Sequence, residues 1–358
     1  MKKLDIYIIR KFLGTFFYAI ALIISISVVF DYSEKIDDFI QKQAPWSAII
    51  FQYYLNFIPY FANLFSFLFT FIAVIFFTSK LSVRSEIIAI LSSGISFNRL
   101  LRPYFISAFV IAVFTFILTN FIIPPANRTR LAFEDRYVNN VYVNSEKNIH
   151  KQLQPGVFVY MEGFNTLANV GYKFAIEKFE KGRLVSKITT DYIDWDSTKN
   201  KWTMHNCYIR ELDSLSEKIS TKATIDTALN MSLSEFKRRA TIVETMDYVQ
   251  LNHFIEAERN RGAENITNFE LEKHKRFAAP YAVFVLTVMG VSVSIRRNRG
   301  GVGGHIGLGI LLSFTYILFM QVAAQVAIKG GFSPILAAWI PNFIYTIIAI
   351  ILYRMTPK

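Results

Sequence analysis

Pro103-Tyr-Phe-Ile-Ser-Ala-Phe-Val-Ile-Ala-Val-Phe-Thr-Phe-Ile-Leu-Thr-Asn-Phe-Ile-Ile-Pro-Pro-Ala-Asn127 contains no Asp, Glu, Lys or Arg, and Arg128 and Arg130 follow it directly. A helix needs roughly 20 apolar residues to cross a hydrocarbon core. The segment therefore predicts a membrane span that delivers the chain into polar surroundings. Working outward, residues 128–276 are polar throughout and long enough for one domain. Five further charge-free stretches flank that insert, at 12–30, 43–79, 277–295, 306–328 and 330–353. The expected fold is an α-helical membrane protein of six transmembrane helices, three before and three after an inserted extracytoplasmic β-rich domain. A hydrophobic content of 53% and a mean hydropathy of +0.31 agree with this plan.

Lys2, Lys3, Arg10 and Lys11 precede the first apolar run and resemble the start of a signal peptide. The run is longer than a cleavable core, and Asp31, Tyr32 and Ser33 follow it instead of a small-residue cleavage pattern, so it is read as a retained span.

The net charge of +12 raises the question of nucleic acid, and its distribution excludes that reading. Acidic and basic residues nearly balance within 128–276. The excess lies on Lys2, Lys3, Arg10, Lys11, Lys80, Arg84, Arg99, Arg102, Arg296, Arg297, Arg299, Arg354 and Lys358, all on one side if the spans alternate, opposed there by Asp5 and Glu86 alone. Cytoplasmic loops carry such an excess of cations. Both termini are therefore expected in the cytoplasm and the insert outside. The single cysteine, Cys207, permits no internal disulfide. The histidines (150, 205, 253, 274 and 305) have no metal-site spacing.

Within the insert, strand-like runs occur at 156–161, 173–179, 184–195, 201–209 and 218–226, several alternating apolar with polar residues. Asp196-Ser-Thr-Lys-Asn200 supplies turn chemistry between two of them. An antiparallel sandwich or jelly roll is expected. Residues 246–261 then predict a helix, with Val249, Phe254 and Ala257 at helical spacing and Gly262 as a stop.

In the cytoplasmic loop after the second span, residues 84–93 predict a short amphipathic helix closed by Gly94, with Ile87, Ile90 and Leu91 on one side. Glu86 is the lone acid of the cytoplasmic loops. It is either a helix-start glutamate favoured by the macrodipole or a docking carboxylate for a basic pocket on a cytoplasmic partner. At the outer boundary, Arg128, Arg130 and Arg136 after span three, and Lys273, His274, Lys275 and Arg276 before span four, break the positive-inside pattern. They are either solvated flanks or cations placed to hold anionic groups such as phosphates. Catalytic motifs do not emerge: there is no G-x-x-x-x-G-K-[ST] loop, and Gly300-Gly-Val-Gly-Gly304 reads as a turn. The sequons at Asn127, Asn230 and Asn265 are read as chance occurrences.

Four motifs in order resemble those of the LptF/LptG lipopolysaccharide export permeases. They are Arg84-Ser-Glu-Ile-Ile-Ala-Ile-Leu-Ser-Ser-Gly-Ile-Ser96, Met246-Asp-Tyr-Val-Gln-Leu251, Phe269-Glu-Leu-Glu-Lys-His-Lys-Arg-Phe-Ala-Ala-Pro280 and Ala337-Ala-Trp-Ile-Pro-Asn342. The resemblance covers essentially the whole chain. It implies transmembrane helices 1–3 within 1–127 with a coupling helix at about 80–98, a periplasmic β-jellyroll with a C-terminal helical segment at 128–268, and helices 4–6 at 269–358. It implies a non-catalytic subunit of the bacterial inner membrane that binds no cofactor, with ATP and Mg on a partner. The partners implied are an LptB-type cytoplasmic ATPase dimer, a paralogous permease or a second copy of this chain, LptC/LptA-type periplasmic jellyroll proteins and lipopolysaccharide, with no nucleic acid. Coupling to the ATPase would fall to Glu86, Arg84, Ile87, Ile90, Leu91 and Gly94. Lipid headgroups would meet Lys35, Arg128, Arg130, Arg136, Lys273, Lys275 and Arg276. One departure stands out: near the outer end of span one, where the family carries basic residues, Asp31, Glu34, Asp37 and Asp38 outnumber Lys35 and Lys42. A mechanotransmitting ABC subunit and a membrane scaffold without an ATPase are the rival readings.

Overall fold

A computed structural model describes residues 3–138, 147–197, 200–213, 216–229, 231–236, 240–260, 266–295 and 301–356. Lys2, Arg296, Arg297, Arg299, Lys358, Gly300, Gly262, Asn230 and Asn265 lie outside the described residues. The chain forms two compact units, residues 1–138 with 244–248 and 270–358, and residues 139–243 with 249–269.

In the first unit, α1 (Lys3–Gln41), α2 (Trp46–Val83) and α4 (Phe97–Tyr137) are the first three apolar helices, and a short helix α3 (Glu86–Ser92) joins α2 to α4. Helices α2 and α4 each contain a π-helical turn, at Ile49–Tyr54 and Leu118–Ile122. Both turns lie just before prolines, Pro59 in α2 and Pro124 and Pro125 in α4, which lack the N–H that would continue the ladder. Nearby side chains donate to carbonyls in or just before these turns, as apolar surroundings favour. Asn56 Nδ2 donates to the carbonyls of Phe51 and Gln52, both at 2.9 Å, and Asn120 Nδ2 to that of Phe116 at 3.0 Å.

The second trio is α7 (Ile266–Ser294), α8 (Gly301–Ile328) and α9 (Pro334–Arg354), numbered after the helices of the insert. Helix α2 is the hub. One set of its residues, including Val74, Phe77 and Leu81, packs with α1, α3 and α4, while Phe71 and Ile75 pack with α7, α8 and α9. Close approach of α7 to α2 requires Gly290, because a Cβ there would lie 2.8 Å from Val74 Cγ1. Polar crosspieces tie the helices together: Thr78 Oγ1 and Tyr104 Oη share a hydrogen bond of 2.9 Å, and Ser82 Oγ donates to the carbonyl of Ile295 at 2.9 Å. Asn342 is buried, accepting from Tyr316 Oη at 2.9 Å and donating to the carbonyl of Ala278 at 3.1 Å. That crosspiece gives the Ala337–Asn342 motif a physical role, since it links all three helices of the second trio.

The second unit holds β1 (Lys147–Gln154), β2 (Val157–Asn165), β3 (Val170–Glu180), β4 (Arg183–Asp196), β5 (Lys201–Leu212) and β6 (Glu217–Thr227). The expected inserted β domain is thus present. Its six described strands follow one another in a single antiparallel sheet, β1-β2-β3-β4-β5-β6. Alternate residues of the strands build one apolar core of Val159, Met161, Phe174, Ile193, Trp202, Met204 and Cys207, onto which α5 (Leu233–Phe236) adds Phe236. Trp202 Nε1, fully buried, donates to the carbonyl of Met231 at 2.8 Å. The thiol of Cys207 is buried, and burial pushes its pKa up. At the β1–β2 turn Gly156 adopts φ +80, and a Cβ there would meet Phe179 O at 2.6 Å. Strand β6 is an edge, exposed along nearly all its length. Helix α6 (Tyr248–Asn260) buries Leu251 and Ile255, whereas Val249, expected on the apolar stripe, is exposed.

Candidate functional site

The segment expected to couple to a partner begins where α2 ends. Arg84 leaves the helix and Ser85 takes a left-handed φ of 62, so α3 starts at Glu86, two residues later than the apolar periodicity predicts. Gly94, at φ +84, ends the segment as expected. Ser96 then caps α4, its Oγ accepting from the N–H of Arg99 at 3.4 Å. Ile87 is buried, and Ile90 and Leu91 pack partly against the same core, so the apolar side of α3 is the side that holds it to the bundle. Arg84, Ser85, Ile88, Ala89, Ser92, Ser93 and Gly94 are exposed on the other side. The Glu86 carboxylate accepts from Tyr7 Oη at 3.2 Å and sits 4.0 Å from Arg84 Nη1. Asp5, nearly buried, takes a two-pronged bond from Arg99, with both N–O distances 2.8 Å. Tyr7 went unnoticed in the sequence and Asp5 was noted only for its charge, because their partners lie 79 and 94 positions away.

Near the C-terminal end of α1, Lys35 Nζ reaches Asp31 Oδ1 at 2.7 Å and also bonds to Tyr53 Oη. Tyr53 and Tyr54 donate to the same carboxylate at 3.1 and 3.2 Å. The local excess of acid noted in the sequence therefore has a specific use: Asp31 neutralises Lys35 and joins α1 to α2.

The basic residues after span three divide into two groups. Arg136 stacks on Tyr137 at 5.1 Å and, with Arg128, Gln52, Thr129 and Phe133, lines a recess of about 430 Å³. Arg128 Nε also donates to the carbonyl of Thr245 at 2.7 Å. Arg130 lies over the ring of Tyr60 at 5.0 Å and bonds to Glu134 at 3.5 Å. Before span four, Lys273 lies 6.0 Å from the ring centroid of Tyr248. Arg276 is buried, donating to the carbonyl of Met246 at 2.9 Å and to Glu272 at 3.5 Å.

Residues 244–248, part of the Met246 motif, are thus stitched to the C-terminal part of α4 and the N-terminal half of α7 by main-chain carbonyls. Glu244 completes this stitching, accepting from Asn127 Nδ2 at 3.4 Å. Burial, and then the neighbouring Glu272 carboxylate, raise its pKa to about 7, against the pull of Arg130, Arg276 and Lys275. Nothing local in Thr241-Ile-Val-Glu-Thr245 marks that glutamate, because burial is conferred by helices distant in the chain.

Comparison with known proteins fits this architecture. The family model for "Lipopolysaccharide export system permease LptF/LptG" matches residues 6–355. A curated relative, the "Lipopolysaccharide export system permease protein LptG" of Haemophilus influenzae, is 21% identical over 353 residues, covering 97% of each chain.

Proposed function

The chain belongs to the LptF/LptG family of lipopolysaccharide export permeases, and on that premise we propose that it is the transmembrane subunit of an ABC transporter of the bacterial inner membrane. It takes lipopolysaccharide from the outer leaflet and passes it through the β domain to periplasmic jellyroll proteins. The observation that carries this reading is a family match running from α1 to α9, so that it includes both helix trios and the β insert. The positive-inside charge distribution supports a cytoplasmic α3 and an exported insert.

ATP, with Mg, is bound by a separate cytoplasmic ATPase dimer, and a paralogous permease or a second copy of this chain completes the membrane part. Pulling acyl chains from a bilayer costs about 0.8 kcal/mol per methylene, so passive binding does not suffice and an external driver is needed. Closure of the ATPase dimer pushes on α3 through Glu86, and the movement narrows the cavity that the two permeases enclose. Arg84, the exposed Ile88 and the turn at Gly94 complete the docking face, while Ile87, Ile90 and Leu91 anchor it. Arg128 and Arg136 supply the headgroup contact, since they bring two guanidinium side chains to one recess. Lys275 is a further headgroup contact, while Lys35, Arg130, Lys273 and Arg276 act there chiefly as supports, set by the internal partners described above. The exposed backbone of β6 offers an edge to which a periplasmic jellyroll strand can add.

The test is Glu86→Ala in the reconstituted complex. Recovery of the ATPase with the permease is expected to fall at least tenfold, with membrane insertion intact; wild-type recovery and lipid release would overturn the assignment. Photocrosslinkers at Phe158 and Val159, on opposite faces of β2, are expected to give lipid adducts. A functioning ATPase complex without adducts at either position would favour the mechanotransmitting reading.

A further inference from the structure

We propose that Tyr7 is the positioning residue for Glu86 and that, with Asp5, it makes α1 the element through which movement of the coupling helix reaches the outer leaflet. This rests on the reading of Glu86 as the docking carboxylate.

Three observations converge. First, the Glu86 carboxylate is held between Tyr7 Oη at 3.2 Å and Arg84 Nη1 at 4.0 Å. Glu86 is the first residue of a seven-residue helix entered through a left-handed serine. Such a short helix has little rigidity of its own, so the direction of its carboxylate depends on these neighbours. Second, two residues before Tyr7, Asp5 binds Arg99 at the start of α4 through two bonds of 2.8 Å. The first turns of α1 therefore touch both ends of the coupling segment, although α1 is not covalently adjacent to either. Third, α1 alone among the first three spans contains neither proline nor a π-turn, and it runs unbroken from Lys3 to Gln41. Such a helix is roughly 60 Å long. Its far part is clasped to α2 by Asp31, Lys35, Tyr53 and Tyr54.

A push on Glu86 is thus delivered to an unbroken helix, whereas α2 and α4 are interrupted by prolines and π-turns. Tyr7 fixes the angle at which that push is received, and Asp5 keeps the foot of α1 from sliding along α4.

The experiment uses the full complex of this chain, its partner permease and the ATPase in proteoliposomes. It measures the affinity for the ATPase and the lipid released per ATP hydrolysed. Tyr7→Phe keeps the ring and removes only the hydroxyl donor. It is expected to weaken ATPase binding about fivefold, the scale for one partly exposed hydrogen bond to a charged group, and to lower lipid release per ATP. In a Glu86→Gln background the same change is expected to add nothing, since the two residues act as a unit. A merely structural Tyr7 would lower the thermal midpoint and act additively with Glu86→Gln. Either additivity or wild-type affinity in Tyr7→Phe overturns the proposal. If Glu86→Ala abolishes docking while Tyr7→Phe is silent, the Tyr7 assignment alone fails. If Glu86→Ala itself docks normally, the docking reading fails and the positioning role goes with it.

Discussion

Arg276 donates through Nη1 to the main-chain carbonyl of Met246, 2.9 Å away, from a position in α7 that is almost wholly buried. A cation read from sequence as a candidate headgroup contact fastens residues 244–248. Arg276→Ala is expected to lower stability by about 2 kcal/mol or more, because a buried carbonyl loses its donor and Glu272 its counter-ion. Arg276→Lys is expected to recover only part of this, since an ammonium does not reproduce the guanidinium fork. Thermal unfolding in detergent measures both.

Glu244 carries a pH dependence whose sign follows from its raised pKa. The ordinary value is 4.5 and the folded one about 7. Below about pH 4.5 the carboxyl is protonated folded or unfolded and costs nothing. Between 4.5 and 7 the unfolded chain releases its proton while the fold retains it, so stability falls as pH rises, and the full penalty of up to about 3 kcal/mol is present above 7. Glu244→Gln is expected to raise the thermal midpoint at pH 8 and to flatten its dependence between pH 5 and 8. An unchanged slope would show that Glu244 titrates normally.

Two glycines in the bundle face similar crowding with different remedies. At Gly290 an added methyl meets Val74 Cγ1 at 2.8 Å, Val74 Cβ at 3.1 Å and Phe71 at 3.2 Å, whereas at Gly309 it meets the terminal Cδ1 of Ile75 at 2.3 Å. Ile75 can swing its end away, but Val74 is branched at Cβ and stiff. Gly290→Ala is therefore expected to cost about 1–3 kcal/mol and Gly309→Ala clearly less, as measured by paired melts of the two variants.

The outer cations are expected to separate in a lipid-retention assay. Arg136→Ala should reduce anionic lipid copurified with the complex several-fold, because Arg136 lines the recess with Arg128. Lys35→Ala should change retention little, its charge being already matched by Asp31 at 2.7 Å. Mass spectrometry of retained lipid gives both numbers, and the reverse order would assign the headgroup to Lys35.

The plan of six spans and a β insert was legible because membrane and water impose opposite compositions, and a charge-free run such as 103–127 has no second interpretation. Ends and irregularities were less so. Helix α4 continues to Tyr137 through polar residues, since Phe133 packs beside Phe39 and Tyr53. Strand β1, Lys147-Asn-Ile-His-Lys-Gln-Leu-Gln154, was missed because it is an edge strand with Ile149 as its one buried residue. The later start of α3 turns on one φ angle at Ser85, which favours no particular pattern of neighbours. In the candidate site, residue types were readable and pairings were not: Glu86 stood out as a lone acid, but its distance to Tyr7 belongs to the tertiary fold.

Cys207 is the sole thiol of the chain, and it is sealed inside the β core. A maleimide added from outside therefore has one native target, reachable only while the sheet is locally open. The labelling rate of the unmodified protein becomes a clock for that opening, and cargo that braces the sheet from within would slow it. On the proposed path of lipid through the β domain, bound cargo is expected to slow this labelling, with no engineered probe required.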